Sequence, residues 1–131
     1  MNLNQYKTTE ASDAGAEMVV YDPKGNPTDA TITLAGRDSQ IYRKREQELN
    51  AILRRTPSSQ VKNFDFKAFT DETYKLCVLS WRGICVGDSE MECTKENISK
   101  LLDDPDARFI FDQIREFVDD RANFMQSNVK N

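Results

Sequence analysis

The C-terminal part of the 131-residue chain carries the strongest helical pattern in the sequence. Between Asp104 and Met125, apolar side chains recur every three or four residues, which places them on one face of an α-helix. That face comprises Phe109, Ile110, Ile114, Phe117, Val118, Ala122 and Met125. Asp104 followed by Pro105 is a typical helix start, with a capping side chain and then proline at the first helical position. Because such a helix must cover a core, the sequence predicts a domain built around it.

Three further helices are predicted upstream from capping residues and apolar stripes. They cover residues from about 38 to 55, from about 65 to 82, and from 95 to about 102. The second has the broadest apolar arc, so we expect it at the centre of the core. The first has a thin stripe interrupted by Arg45 and is otherwise strongly charged. We therefore expect that first helix to lie on the surface.

The N-terminal part of the domain has the pattern of a β-hairpin. Residues 18–21 are a short β-rich run, and residues 30–36 alternate apolar and polar side chains with a period of two. Between them, Asp22 to Pro27 is a stretch of turn-forming residue types. Residues 17–36 are therefore predicted to form two strands. The expected fold class is mainly α with a small N-terminal β-hairpin (α+β), in which the hairpin is followed by about four helices.

The chain is predicted to form one domain with two irregular ends. Residues 1–16 are polar and show no periodicity, so we expect a flexible tail. A single domain is expected over residues 17–125, with the hairpin at 17–36 and the helical part at 38–125. Residues 126–131 are expected to fray. A chain of this length leaves little room for a second domain.

The sequence contains no residue pattern typical of an enzyme. It has no histidine, which removes the commonest general base near neutral pH and the usual ligand of zinc, iron and copper. Cys77, Cys85 and Cys93 are eight residues apart, unlike the closely spaced pairs of zinc sites. Clustered carboxylates are expected to cap helices and to keep the protein soluble. We therefore expect no catalytic residue, metal or cofactor, and interpret the chain as a non-enzymatic binding protein.

Charge is distributed unevenly along the chain. Residues 37–67 contain eight basic and four acidic residues, whereas residues 71–121 contain thirteen acidic and seven basic ones. This asymmetry favours the steering of protein partners or weak head-to-tail self-association. Nucleic acid is not expected as a partner, because the net charge is −4 and no aromatic residues interleave with the basic ones. No apolar run approaches the ~20 residues that cross a bilayer, and no signal-peptide pattern is present, so a cytoplasmic protein is expected.

Residues at the margins of the helical stripes are the best candidates for protein contacts, since aromatic residues dominate binding hot spots. Phe111 and Phe124 fall off or at the edge of the C-terminal stripe, whereas the other phenylalanines of the stripes, Phe66, Phe69, Phe109 and Phe117, are assigned to the core. The basic helix at 38–55 offers a second, thinly amphipathic surface for helical segments of a partner. The candidate partner-binding residues are Phe111, Phe124, Ile41, Arg45, Leu49 and Ile52.

Two stretches of the sequence have an order and spacing that resemble a known family. The first is YDPKGNPT at residues 21–28, followed by ITLAGRDS at 32–39 and then Tyr42. The second is LCVLSWRGI at residues 76–84, followed by TKEN at 94–97 and the helix from 101 to 117. Together they resemble the tail assembly chaperones of long-tailed (siphovirus-type) bacteriophages. In that family a helix ends in a tryptophan and is followed by a short apolar loop and a long helix.

The resemblance covers about residues 17–125 and implies a non-catalytic function in virus assembly. Chaperones of this family act in the cytoplasm of the infected bacterium, where they coat and solubilise the long tape-measure protein and help to recruit the major tail-tube protein. The implied partners are these two proteins rather than nucleic acid, a membrane or a small-molecule substrate. Two alternatives stay open: a structural head–tail connector or completion protein, which would form a stable ring, and a small regulatory adaptor directed at a host protein.

Overall fold

The computed structural model describes residues 1–125, and the C-terminus that we expect to fray, 126–131, lies outside them. The helices of the described part are α1 (Thr9–Ala14), α2 (Gln40–Arg55), α3 (Phe66–Leu76), α4 (Lys95–Asp103) and α5 (Arg108–Asp119). The strands are β1 (Ala16–Tyr21), β2 (Pro27–Leu34), β3 (Val78–Arg82), β4 (Cys85–Val86) and β5 (Ser89–Glu90). Short 3-10 helical turns cover Leu3–Tyr6, Ser58–Asn63, Pro105–Ala107 and Arg121–Phe124.

The predicted fold class, a mainly α-helical domain in which a hairpin precedes about four helices, is wrong. The structure is mixed α+β and contains an antiparallel three-stranded sheet in the order β1-β2-β3. β1 and β2 form a hairpin, but β3 follows α3 in the chain and pairs with the other edge of β2. A second, two-stranded hairpin of β4 and β5 precedes α4. Strands and helices are therefore interleaved along the chain, and β2 is the central strand of the sheet.

The sequence pattern predicts a helix through residues 78–82, whereas α3 ends at Leu76 and β3 follows. The pattern misleads because of a register shift against β2, in which Val78 pairs with Leu34 and Trp81 pairs with Ile32. The buried residues of β3 are thus three positions apart, which is a helical spacing, instead of the two positions of a regular strand. The apolar spacing of residues 78–82 therefore fits a helix as well as this strand, and only the pairing with β2 distinguishes them.

The core lies between the inner face of the sheet and α5. β2 contributes Ile32 and Leu34, and α5 contributes Ile114 and Val118, and all four are fully buried. Burial of each such aliphatic side chain contributes about 1.5–3 kcal/mol to stability. The surrounding core residues include Met18, Val20, Val78, Trp81, Ile84, Leu102, Ile110 and Phe111. α5 therefore packs on the sheet, next to β1, and also against α3 and α4.

The first sixteen residues contain a packed helix where the sequence predicts a flexible tail. Ser12 of α1 is buried, and its carbonyl accepts a hydrogen bond from the Gly36 N–H at 3.1 Å. A Cβ atom at Gly36 would lie 2.6 Å from Ser12 Oγ, so this close approach requires glycine. The Asp13 carboxylate accepts a hydrogen bond from the Gln40 N–H at 2.6 Å. α1 is therefore attached to the connection between β2 and α2, a non-local contact that its polar sequence does not reveal.

Asp38 joins three separate parts of the chain. Its carboxylate accepts a hydrogen bond from the Thr8 hydroxyl at 2.5 Å, and two from the Arg121 guanidinium at 2.7 and 3.1 Å. These bonds stabilise the ionised form, and that with Arg121 above all holds the pKa of Asp38 below its ordinary value. One carboxylate thus links the N-terminal segment, the start of α2 and the turn after α5.

We expect this carboxylate to make stability depend on pH in the acid range. Because folding lowers the pKa of Asp38, its contribution is fully present above the unfolded-state pKa of about 3.9 and is lost as the pH falls through the folded-state value. Asp38→Asn should therefore lower the melting temperature near neutral pH, and the difference from the wild type should shrink below about pH 4. Thermal unfolding followed by circular dichroism measures both quantities. Asp88→Asn, at an exposed turn position, is the control, and a difference for Asp38→Asn that does not change with pH would contradict the assignment.

Candidate partner-binding site

The α2–α3 arm, defined as residues 40–70, is folded by strong local signals. α2 begins at the N-cap Ser39, whose hydroxyl accepts a hydrogen bond from the Tyr42 N–H at 3.2 Å. It ends before Pro57, because the residue preceding a proline is driven out of the helical conformation. α3 begins in the same way at the N-cap Asp65. The arm therefore forms two helices without needing to bury much of either.

The arm carries apolar side chains that the core does not use. No residue of α2 or of the turn at 58–63 is fully buried, although α2 is 16 residues long. Seven large apolar side chains of the arm are half-buried or exposed and lie apart from the core that Ile41 contacts: Leu49, Ile52, Leu53, Val61, Phe64, Phe66 and Phe69. None of these seven belongs to the main hydrophobic core. We call this set the arm surface.

Three phenylalanines form the part of the arm surface at α3. The ring centroids of Phe64 and Phe66 are 4.9 Å apart in an edge-to-face arrangement, and those of Phe64 and Phe69 are 5.9 Å apart. Aromatic pairs at these distances contribute about 0.5–1.5 kcal/mol beyond their burial. Phe66 is nevertheless 43% exposed. The rings therefore hold one another in place while leaving apolar area open to a partner.

Arg45 lies inside the arm and connects its two helices. Its Nε donates a hydrogen bond to Thr73 Oγ1 and its Nη2 donates one to the Phe69 carbonyl, both at 3.1 Å. The guanidinium carbon lies 3.7 Å from the centre of the Phe69 ring, a cation–π contact. Only 14% of the Arg45 side chain is exposed. This residue, which the sequence suggests as a partner contact, therefore serves as a brace between α2 and α3.

The remaining basic side chains of the arm are open to solvent. Six are exposed: Arg43, Lys44, Arg54, Arg55, Lys62 and Lys67. Arg54 and Arg55 lie in the last turn of α2, where positive charge also complements the helix dipole. The arm thus combines an apolar surface with a positive periphery, which suits a partner that is both apolar and acidic.

A groove with a volume of about 530 Å³ lies between α3 and α5 and is lined in part by Phe66 of the arm surface. Leu102, Pro105 and Phe111 contribute the rest of its apolar lining. Phe111 is only 6% exposed, and the Arg115 guanidinium carbon lies 4.2 Å from the centre of its ring. Asp71 forms ion pairs on one wall, at 2.6 Å with Lys67 and at 3.5 Å with Arg115. Phe111 therefore lies at the bottom of a groove whose charged walls largely neutralise each other.

The other predicted contact residues are divided between the arm and the core. Leu49 and Ile52 lie on the arm surface, as their place on the thin stripe suggests. Ile41 packs against the main core. Phe124 is 1% exposed, and its ring centroid lies 5.7 Å from that of Phe117. The structure therefore differs from the expectation that Phe124 faces a partner, because the turn Arg121–Phe124 directs its side chain inward.

Phe66 is the exposed aromatic residue that sequence reasoning assigns to the core. It directly follows the N-cap Asp65 and so occupies the first position of α3. Side chains in a helix lean toward its N-terminus, so the first residue extends past the helix start rather than onto the packed stripe. The capping signal at Asp65 is therefore the feature of the sequence that could have identified Phe66 as a surface residue.

The thiols and carboxylates of residues 1–125 form no group of three or more that could hold a metal ion. Burial raises the pKa of the Cys77 thiol to about 12, and burial also raises that of Cys93. Both thiols are therefore protonated near neutral pH and are poor nucleophiles. The helices of this part of the chain are all too short or too polar to cross a membrane.

Comparisons with known proteins give no family assignment. No protein-family model matches the chain, and no significant match is found among curated proteins or solved structures. One feature of the resemblance to tail assembly chaperones also differs in the structure, since Trp81 lies in β3 rather than at the end of a helix. The order of the quoted segments along the chain is unaffected by this difference.

Proposed function

We propose that this protein is a non-catalytic assembly chaperone of a long-tailed bacteriophage. In this proposal it binds and solubilises the tape-measure protein in the cytoplasm of the infected bacterium and helps to recruit the major tail-tube protein. The family-level part of the proposal rests on the resemblance of residues 17–125. The observation that carries the binding function is the arm surface, an apolar set of side chains outside the core with exposed basic residues on the same two helices.

The spacing of the arm surface suits a helical client. Ile52 and Leu53 lie three and four residues after Leu49, so the three side chains share one face of α2. An amphipathic helix of the client would contribute apolar residues at the same spacing and bury them against this face. Exposed Arg and Lys residues of the arm would attract acidic residues beside the apolar stripe of the client. The expected client segment is therefore an acidic amphipathic helix.

The half-buried state of these side chains also suits reversible binding. They are already partly covered in the free protein, so each has less apolar area left to bury than a fully exposed side chain. The Arg45 brace and the Phe64–Phe66–Phe69 contacts hold the arm in one shape, which lowers the entropy lost on binding. An assembly chaperone must release its client, and many weak contacts of this kind along a long helical protein allow that.

The test is co-expression of the full chain with the tape-measure protein. We expect the wild type to keep the tape-measure protein soluble and to co-purify with it. The double variant Ile52→Ser, Phe66→Ser should reduce the retained client about tenfold or more, because truncating binding hot spots costs over ~1 kcal/mol per residue. The readouts are the soluble fraction of the client and the stoichiometry of the purified complex.

Val86→Ser is the matched control, because Val86 is an equally apolar surface residue, 66% exposed, in the separate β4–β5 hairpin. It should leave client recovery unchanged, and thermal unfolding should show that all variants are folded. If the client stayed insoluble while this chain alone formed a stable ring, the chaperone proposal would be overturned and a head–tail connector favoured. Loss of client with Val86→Ser but not with the arm variant would place the binding site elsewhere.

A further inference from the structure

β1 is an edge strand whose outer side pairs with a side chain instead of another strand. Within residues 1–125, the sheet order β1-β2-β3 leaves one side of β1 without a neighbouring strand. At Tyr21, the backbone N–H donates a hydrogen bond to Gln113 Oε1 at 2.8 Å, and Gln113 Nε2 donates one to the Tyr21 carbonyl at 2.9 Å. A primary amide thus makes both bonds that a peptide group of a fourth strand would make. The edge is therefore suited to pairing with a peptide backbone.

The backbone N–H and C=O groups of the residues before Tyr21 show that this site continues along β1. The Val20 carbonyl faces β2, since it accepts a hydrogen bond from the Thr28 hydroxyl at 2.6 Å. Backbone groups alternate in direction along an extended strand, so those of Val19 and Glu17 face the open edge, as those of Tyr21 do. Gln113 occupies only the Tyr21 position. As far as the described part of the chain is concerned, the two outward-facing positions before it, Val19 and Glu17, remain open for an added strand.

A groove with a volume of about 380 Å³ runs beside this edge, between β1 and α5. Its lining combines two residues of β1 with four of the helical side: Val19, Tyr21, Gln113, Glu116, Phe117 and Asp120. At about 1.5 Å of rise per residue, the helical side from Gln113 to Asp120 is roughly 10 Å long, which matches about three residues of extended chain. An added strand therefore has a place both for its backbone and for its alternate side chains.

The negative charge of the groove indicates which kind of partner it can bind. Its lining contains the carboxylates of Glu116 and Asp120 and no Lys or Arg, all within the described part of the chain. Pairing β1 with β1 of a second copy would bring two such acidic linings together, which is unfavourable. The concentrated basic residues of this chain lie on the α2–α3 arm, which is helical and cannot add as a strand. A basic segment of a different protein is the complementary occupant.

We propose that the β1 edge and the β1–α5 groove bind an extended basic segment of a partner protein by strand addition. The partner backbone pairs with Glu17 and Val19 and continues the interaction that Gln113 makes at Tyr21. Its alternate side chains enter the groove, where apolar ones contact Phe117 and a Lys or Arg reaches Glu116 or Asp120. This site is separate from the arm surface and does not depend on the chaperone proposal.

The test uses the full chain and a heptapeptide blocked at both ends, with threonine at its odd positions and lysine, valine and lysine at its even positions, so that both residue types lie on the face that enters the groove. We expect the peptide to shift the backbone amide NMR signals of Glu17 and Val19 and to slow hydrogen exchange at Val19. A peptide with the same side chains but N-methylated backbone nitrogens should bind on the order of tenfold more weakly or worse, because it cannot donate to the edge. A peptide with glutamate in place of lysine should also bind more weakly.

Val19→Pro tests the backbone pairing most directly, because it removes the outward-facing N–H of Val19. Proline is tolerated in an edge strand at such a position. It should fold with an intact β1–β2 ladder and lose peptide binding, whereas Val19→Thr should retain it. Glu116→Gln, a surface change without consequence for folding, should weaken binding about threefold to fivefold. Equal binding of the N-methylated peptide, or signal shifts confined to residues outside β1 and α5, would overturn the proposal. Dimerisation of the free protein through β1 would also overturn it, because a second copy would then be the occupant.

Discussion

Replacing Trp81 by alanine is expected to lower the free energy of unfolding by about 3–5 kcal/mol, the range for removing a buried tryptophan. Trp81 is buried in β3, pairs with Ile32 of the central strand, and donates a hydrogen bond from Nε1 to the Met91 carbonyl at 2.7 Å. The substitution removes the packing of the indole ring in the core. It also removes the hydrogen bond that anchors the segment after β5. Since domains of this kind are stable by about 5–15 kcal/mol, much of the population should unfold at moderate urea concentration. Urea denaturation followed by circular dichroism measures the loss.

Trp81→Phe separates the contribution of ring packing to stability from that of the hydrogen bond. It keeps most of the ring packing but leaves the Met91 carbonyl without its donor, which should cost about 1–3 kcal/mol. Val86→Ser, in the β4–β5 hairpin, should change stability by less than about 0.5 kcal/mol and serves as the surface control. If Trp81→Ala proved no more destabilising than Trp81→Phe, the ring would not be part of the core. The presence of tryptophan at position 81 would then have to be explained by binding instead of by folding.

Arg45→Ala is expected to cost about 2 kcal/mol and to loosen α2 from α3. The change removes two hydrogen bonds from a charged donor, to Thr73 Oγ1 and the Phe69 carbonyl, and the contact with the Phe69 ring. Hydrogen exchange should accelerate along α2 more than in β2 or α5, because none of the α2 residues is anchored by full burial. Exchange measured by mass spectrometry, together with urea denaturation, tests both expectations.

Arg45→Lys and Lys44→Ala are the matched variants. Lysine keeps the charge but cannot donate from two nitrogens of a planar fork, so Arg45→Lys should recover only part of the stability. Lys44 is an exposed residue on the same helix, and Lys44→Ala should be nearly neutral. A fully stable Arg45→Ala protein that fails only to bind its client would show that Arg45 is a partner contact, as the sequence pattern suggests, and not an internal brace.

Local chemistry made several elements predictable from the sequence alone. The β1–β2 hairpin turns at Asp22, whose carboxylate accepts hydrogen bonds from the backbone N–H groups of Lys24 and Asn26 at 2.9 Å each. α4 begins at Thr94, whose hydroxyl accepts a hydrogen bond from the Asn97 N–H at 3.1 Å. These interactions join residues at most four positions apart, so the residue types and their spacing contain the information.

Part of the candidate site was predictable for the same reason. The thin apolar stripe and high charge of residues 40–55 predicted a surface helix, and α2 indeed has no fully buried residue. Leu49 and Ile52 follow from that stripe. Arg45 could be seen to interrupt the stripe, but its acceptors, at Thr73 and Phe69, are more than twenty residues away. Its role therefore depends on where α3 lies, which the stripe does not specify.

The sequence by itself determined the hairpin turn, the starts of α2, α3 and α4 and the amphipathic face of α5, because each depends on neighbours a few residues apart. The predicted helix start at Asp104 begins a 3-10 turn instead, and α5 starts at Arg108. The tertiary structure decided that residues 78–82 form a strand, that α1 packs at Gly36, and that Phe124 is buried. The physical reason is that each of these depends on contacts between segments far apart in the chain, as residues 78–82 show most clearly. β2 offers a second edge with unpaired backbone groups, and β3, which follows α3 in the chain, pairs with it. The apolar pattern of residues 78–82 is compatible with both a helix and a strand, and only the pairing with β2 determines which of them forms.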